Sequence, residues 1–289
     1  MDLCNMSDIQ NLLKRHSFHF SKSLGQNFLI ESWVPRDIAD ASGAGPGTGV
    51  LEIGPGIGPL TVELSRRAGK VAAVELDCAL LPILDETLSD CSNVTVIPGD
   101  VMKLDLPALI LEQFPGLTPL VCANLPYNIT TPVLTLLLES GLFSAITVMI
   151  QKEVAQRICA APGSKDYGAF SVLCQYYAHC ELLFEVPREC FLPAPKVTSA
   201  VVKLTAEPPP DYIHDKVLFF RVVRGAFGLR RKTLLNALSA AFPLSKEVLA
   251  ACIADAGLPS DIRGERLSIP QFAALADLLG MALDQGSPS

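Results

Sequence analysis

Nothing in the chain approaches the roughly 18 consecutive apolar residues of a bilayer-spanning helix, so a membrane-embedded protein is not expected. The opening residues Met1-Asp2-Leu3-Cys4-Asn5-Met6 contain an acid and no basic segment, so they do not read as a secretory signal, and a cytoplasmic protein is expected. No two cysteines stand at C-x-x-C spacing. The nine cysteines are odd in number and scattered, some within apolar segments as Cys122 and Cys174 are, which argues for reduced buried thiols and against a disulfide framework or a metal site. Internal repeats and low-complexity tracts are also missing. An excess of positive charge is lacking too: 23 basic against 30 acidic residues leave −7, which at first sight counts against a nucleic-acid partner.

What is present is a chain of 289 residues, 49% hydrophobic, enough to bury the cores of one large and one small domain. Apolar segments at about 50–53, 71–76, 94–97, 120–123 and 145–150 read as strands, and stretches at about 59–68, 78–89, 131–140 and 152–160 as helices. This alternation predicts an α/β fold, a mostly parallel sheet covered by helices, with ligands at the strand C-termini. Val197 to Ala206 reads as a late strand, and Glu207-Pro208-Pro209-Pro210-Asp211 as a stiff break after it. Beyond the break, Val217 to Leu238, Lys246 to Ala256 and a last helix opened by Ser268-Ile269-Pro270 predict a small helical domain. The expected division is an N-terminal arm and first helix over 1–45, a domain over 46–207 and a helical domain over 208–289; the tail from Gln285 to Ser289 is expected to fray.

Three of the strand ends carry polar groups suited to a nucleoside. Val50-Leu51-Glu52-Ile53 runs into Gly54-Pro55-Gly56-Ile57-Gly58, whose glycines permit close backbone approach. Glu75 follows Gly54 by 21 residues, about the separation at which a strand-end carboxylate reaches ribose hydroxyls in a nucleotide-binding βαβ unit. Asp100, after the next strand, would accept the amine of a cofactor adenine. At the fourth strand end, Asn124-Leu125-Pro126-Tyr127 combines a side-chain oxygen, a main-chain carbonyl and an aromatic ring. Asn124 and Leu125 would each accept one N–H of a planar amino group such as N6 of adenine, while Tyr127 covers the flat face of the base. The glycines follow E-x-G-x-G-x-G, not the G-x-G-x-x-G of a pyrophosphate loop, which favours S-adenosylmethionine over a dinucleotide.

Local charge offsets the global deficit. From Lys216 to Lys246 there are seven basic residues, Arg221, Arg224, Arg230, Arg231 and Lys232 among them, and no acid. Lys14 to Lys22 is a second acid-free stretch. Either would offer a phosphate-binding surface on an acidic protein.

With these residues together, the chain resembles the S-adenosylmethionine-dependent adenine dimethyltransferases of small-subunit ribosomal RNA, from about Phe18 to about Leu279. The resemblance is carried by Lys22-Ser23-Leu24-Gly25-Gln26-Asn27-Phe28-Leu29, Leu51 to Gly58, Asn124 to Tyr127, Phe191-Leu192-Pro193-Ala194-Pro195-Lys196-Val197-Thr198-Ser199-Ala200 and Arg230 to Leu234. It implies a class I methyltransferase (Rossmann-like) sheet with an antiparallel final strand, and cofactor contacts at Asn27, Leu29, Gly54, Glu75, Asp100 and Asn124. It implies catalysis by Asn124, Leu125 and Tyr127, with Phe191 as a second stacking face, and a mobile substrate loop over Gly163 to Gly168. The implied reaction converts two adjacent adenosines near the 3′ end of 16S RNA to N6,N6-dimethyladenosines. The resemblance further implies a monomer that binds the RNA through its C-terminal domain, with the assembling small subunit as partner.

Rival readings have distinct signatures. A nicotinamide dehydrogenase would use the glycines and Glu75 but leave Asn124 to Tyr127 idle. A non-enzymatic nucleic-acid-binding relative would tend to lose that tetrad, which this chain keeps. The macrolide-resistance methylases of large-subunit RNA share the chemistry; the Phe191 to Val197 and Arg230 to Leu234 segments favour the small-subunit group.

Overall fold

The computed structural model describes residues 1–21, 25–229 and 231–285. These fall into two compact units, one of residues 1–155 with 178–206, the other of 156–177 with the chain from 207 onward.

The first unit is built on a seven-stranded sheet. Its strands are β2 (Thr48–Ile53), β3 (Lys70–Glu75), β4 (Val94–Pro98), β5 (Thr118–Asn124), β6 (Ala145–Gln151), β7 (Ala178–Val186) and β9 (Ser199–Ala206). They lie in the order β4-β3-β2-β5-β6-β9-β7. The first five are parallel, and β9 runs antiparallel to both neighbours, as expected of the late strand. Central strands read as apolar runs because both faces are covered. On one face α2 (Trp33–Ser42) and α3 (Pro59–Ser65) bury Val34, Ile38, Leu60 and Leu64 against Val50, Val71, Leu120 and Met149. The chain order reverses between β2 and β5, and at such a switch point the strand C-termini diverge into a ligand crevice.

The arm is more ordered than its sequence suggests. Helix α1 (Met6–Arg15), capped by the Asn5 side chain on the N–H groups of Ser7 and Asp8, buries Ile9, Leu12 and Leu13 against Phe28, Ile57, Leu80 and Ile83. A two-residue strand β1 (Phe28–Leu29) pairs antiparallel with β8 (Phe191–Leu192), Leu29 opposite Phe191. This ribbon, α1, the edge strand β7 and helix α5 (Leu106–Gln113) are elements that the periodicity did not reveal.

The second unit is helical. Its core joins Tyr167, Val172 and Tyr176 with residues of α9 (Lys216–Gly228), α10 (Leu234–Ala241), α11 (Lys246–Asp255) and α12 (Ile269–Gln285), Phe219, Leu234, Leu249 and Phe272 among them. Residues 156–177 therefore pack with the C-terminal helices, and not with the 46–207 domain to which the sequence reading assigned them. The expected mobile loop over Gly163 to Gly168 is anchored instead. Tyr167 is 1% exposed, and the Gly163 N–H donates to the Glu265 carbonyl at 2.6 Å. Among the described residues no helix is long and apolar enough to cross a membrane. The tail from 286 lies outside the described residues.

Candidate active site

A cavity in the first unit opens at the ends of β2, β3, β4 and β5, and its wall includes Asn27, Leu29, Gly54, Glu75, Asp100, Asn124, Leu125 and Tyr127. The sheet delivers three of the polar groups: Glu75 is the last residue of β3, Asp100 follows β4 after Gly99, and Asn124 is the last residue of β5. The glycine loop is shaped by positive φ at Gly54 (+68°) and Gly56 (+64°). A Cβ on Gly56 would come within 3.3 Å of the Phe28 ring, so the arm and the loop close on each other only because glycine stands there.

Glu75 is 5% exposed and held on both oxygens. The Asp77 N–H donates to Oε1 at 2.8 Å and the Gly56 N–H to Oε2 at 3.3 Å. Burial pushes its carboxyl above the ordinary range, and these backbone donors act in the opposite direction. The arm reaches the same loop: Gln26 Nε2 donates to Asp77 Oδ2 at 2.6 Å. Asp100 accepts the Met102 N–H at 3.0 Å through Oδ1 and lies half-buried with Lys103 Nζ 3.7 Å from Oδ2.

At the β5 end, Asn124 Nδ2 donates to the Asn27 carbonyl at 3.4 Å, which leaves Oδ1 as its acceptor. The Leu125 N–H donates to the Met149 carbonyl at 3.1 Å, tying the tetrad to β6. The Tyr127 hydroxyl is hydrogen-bonded to Ser199 Oγ at 2.7 Å, which fixes the ring. Burial raises the Tyr127 pKa and the Ser199 bond opposes that rise, so the phenol stays protonated at neutral pH.

Phe191 departs from expectation. It is 3% exposed, packs with Leu29, Val186 and Cys190 in the core beneath the ribbon, and is not part of the cavity wall. Pairing of β8 with β1 is the physical reason: it turns the ring into the sheet-side cluster. Conversely, the cavity wall contains a residue to which sequence reasoning gave no role. Glu52 is 1% exposed, its Oε2 and the Thr61 hydroxyl both lack a hydrogen-bond partner among the described residues, and its pKa is raised to about 8. Burial is the main cause, with Glu75 adding to the rise and Thr61 opposing it. Its sequence signals were an acid inside an apolar strand and its place at the head of the E-x-G-x-G-x-G run.

The basic residues lie in the second unit. Arg221, Arg224, Arg231 and Lys232 are exposed. Arg221 and Arg224 flank a shallow depression floored by Gly225, Ala237 and Ala241, with the Arg221 guanidinium 4.5 Å from the centre of the Phe242 ring. Arg230 lies outside the described residues. In the other basic stretch, Arg15 and His16 both pair with Glu86, and Lys22 is outside the described residues.

The sequence model of the family described as Ribosomal RNA adenine dimethylase matches residues 17–278. The chain belongs to that family. It is 47% identical over 284 residues to the Ribosomal RNA small subunit methyltransferase A of Bacillus mycoides (strain KBAB4), covering 96% of this chain and 97% of that relative. Among solved structures it is similar to a dimethyladenosine transferase from Plasmodium falciparum, with TM-score 0.72 and 25% identity over 89% of this chain and 98% of that one. It is also similar to the 23S rRNA methyltransferase ErmE, with TM-score 0.66 and 26% identity over 88% and 99%. The two solved structures share the fold at nearly equal identity, so the likeness that distinguishes among relatives is the 47% identity along nearly the whole chain to the small-subunit methyltransferase.

Proposed function

We propose that the protein transfers methyl groups from S-adenosylmethionine to N6 of two adjacent adenosines near the 3′ end of small-subunit ribosomal RNA. The observation that carries this reading is the meeting, in one cavity at the sheet's switch point, of Glu75, Asp100 and the tetrad Asn124 to Tyr127. The full-length likeness to a small-subunit methyltransferase supports the choice of RNA.

The residues present suit the cofactor. Gly54 has no atom within 4 Å of where its Cβ would stand, so the loop offers open backbone to a nucleoside. Glu75 would hold the ribose hydroxyls, Asp100 the adenine amine, and Asn27, Leu29 and Gly54 the remainder. When bound, S-adenosylmethionine supplies an electrophilic methyl. The protein's contribution is then positioning and electrostatics, because an adenine amine is a poor nucleophile whose lone pair is delocalised into the ring. Asn124 Oδ1 and the Leu125 carbonyl would accept the two N–H bonds, aim the lone pair and stabilise the positive charge that grows on nitrogen. The Leu125 carbonyl accepts no hydrogen bond from the described residues, so it is available for this. Tyr127 would stack on a base withdrawn from its RNA. No strong base is needed, since the methylated amine is acidic enough to lose its proton to water.

Arg224, Arg230, Arg231 and Lys232, with Arg221, would bind RNA phosphates. An enzyme of this kind works where ribosomal RNA is assembled, so we place it in the cytoplasm, acting as a monomer on the assembling small subunit. The test is methylation of small and large subunits that lack the modification, mapped by primer extension. Two adjacent stops near the 3′ end of the small-subunit RNA are expected; modification of large-subunit RNA alone would overturn the assignment.

A further inference from the structure

Glu52 is the one buried acid of the cavity that the proposed mechanism leaves unused. It stands one residue from the end of β2. The groups facing it compensate only in part: Glu75 from β3 is a like charge, Cys122 from β5 is a neutral thiol raised well above its ordinary range, and the Thr61 hydroxyl from α3 opposes the rise without cancelling it. Among the described residues no cation is paired with it. A carboxylate in that setting is strongly disfavoured, so at neutral pH the free protein holds Glu52 protonated.

The order of strands says what arrives beside it. Across the sheet the order is β4, β3, β2, β5, and on the reading above these strands meet the adenine at Asp100, the ribose at Glu75 and the target amine at Asn124. The inference rests on that reading. The sulfur of the cofactor is covalently between its ribose and the methyl handed to the amine, so a cofactor held by Glu75 and Asn124 would carry it across β2, whose Glu52 is part of the cavity wall. The donor carries a positive sulfonium there; the product, S-adenosylhomocysteine, carries a neutral thioether.

We propose that Glu52 reads the charge on that sulfur, being protonated in the free protein and beside the thioether and ionised beside the sulfonium, so that donor binding releases a proton that product binding does not. Glu52 is thereby a specificity residue that favours the charged donor and lets go of the neutral product. The protons balance over a cycle. Glu52 gives one to solvent when the donor binds; transfer moves the methyl and the positive charge to the amine nitrogen, which sheds one proton; Glu52 regains one from solvent beside the thioether. Net release is the single proton of the methylated amine.

Calorimetric titration of the full chain with S-adenosylmethionine and with S-adenosylhomocysteine, in buffers of different ionisation enthalpy, reads this directly. Both ligands carry an α-amino group and a carboxylate, and whatever the sulfonium does to the donor's own amino group is common to Glu52→Gln, so the part of the difference lost in that variant belongs to Glu52. At pH 7 the donor should release close to one more proton than the product, and donor affinity relative to product should rise nearly tenfold from pH 6 to pH 7 and level off above about pH 8. Glu52→Gln should abolish both the extra proton and the pH dependence while keeping product affinity, which also reports that the variant is folded. Equal proton release and a pH-independent affinity ratio in the unaltered protein would overturn the proposal whatever the variant does. Failure of both ligands to bind would instead overturn the cofactor reading, and this inference with it.

Discussion

Asn124 and Glu75 share one cavity but should fail in different ways when removed. Glu75→Ala should weaken S-adenosylmethionine binding by at least about tenfold, since each charge-assisted bond lost is worth roughly 1.5–3 kcal/mol, and should leave RNA affinity nearly intact. Calorimetry checks this. Asn124→Ala should lose on the order of 100-fold or more in turnover at saturating cofactor while still binding RNA, because its acceptor matters most as charge grows on the amine. Single-turnover rates at several cofactor concentrations separate that loss from weakened binding. Glu52 has a stability consequence of its own. Its carboxyl titrates near 4.5 in the unfolded chain and about 8 in the folded one. Between those values the folded protein keeps a proton that the unfolded chain has lost, so stability falls as pH rises through the window and is undiminished only below about 4.5. Glu52→Gln cannot ionise, so it should stabilise the ligand-free protein at pH 7 by on the order of 2–4 kcal/mol, the gain vanishing towards pH 4.5. Thermal denaturation across that range gives the answer. That Asn124, Glu75 and Asp100 stand at strand ends around one cavity could be read from sequence, because residue type and strand-end position announce it. The isolation of the Glu52 carboxyl could not, since an oxygen without a partner is a property of packing.

Helices and strands were legible in proportion to their regularity. The four inner parallel strands, β2, β3, β5 and β6, are largely buried and read as apolar runs, and the edge strand β4, though half-buried, keeps the apolar Val94, Val96 and Ile97; β7, the other edge strand, is partly buried and broken by a register shift between Leu182 and Phe184, and its pattern is blurred accordingly. The ribbon of β1 and β8 is two residues a side and joins segments far apart in sequence, so no local signal could have announced it. That ribbon decides how Phe191 behaves. Its ring is core, so Phe191→Ala should cost about 3–5 kcal/mol and lower the melting temperature, with product affinity unchanged in the fraction that remains folded. An unchanged melting temperature with a collapsed turnover would mean instead that the ring leaves the core to stack on the base.

For the molecule as a whole, net charge is a poor guide to local charge, because Arg221, Arg224, Arg231 and Lys232 stand exposed in an acid-free stretch of the helical unit. Replacing Arg230, Arg231 and Lys232 together by Gln should lower the slope of log RNA affinity against log salt by up to about 2–3 units, with S-adenosylmethionine binding unaffected. A folded variant with an unaltered slope would move the RNA site elsewhere. The proline break after Ala206 was legible; the excursion of residues 156–177 into the helical unit was not, since nothing in its composition says which core it will join. That excursion sets a timetable for synthesis. Tyr167, Val172 and Tyr176 leave the ribosome well before Phe219, Leu249 and Phe272, the residues that will cover them. At roughly 5–20 residues per second the nascent chain carries this bare apolar hairpin for several seconds, a natural target for a chaperone. A chain ended at the proline break would carry it permanently, so the sheet unit released there should precipitate unless the hairpin is also cut out.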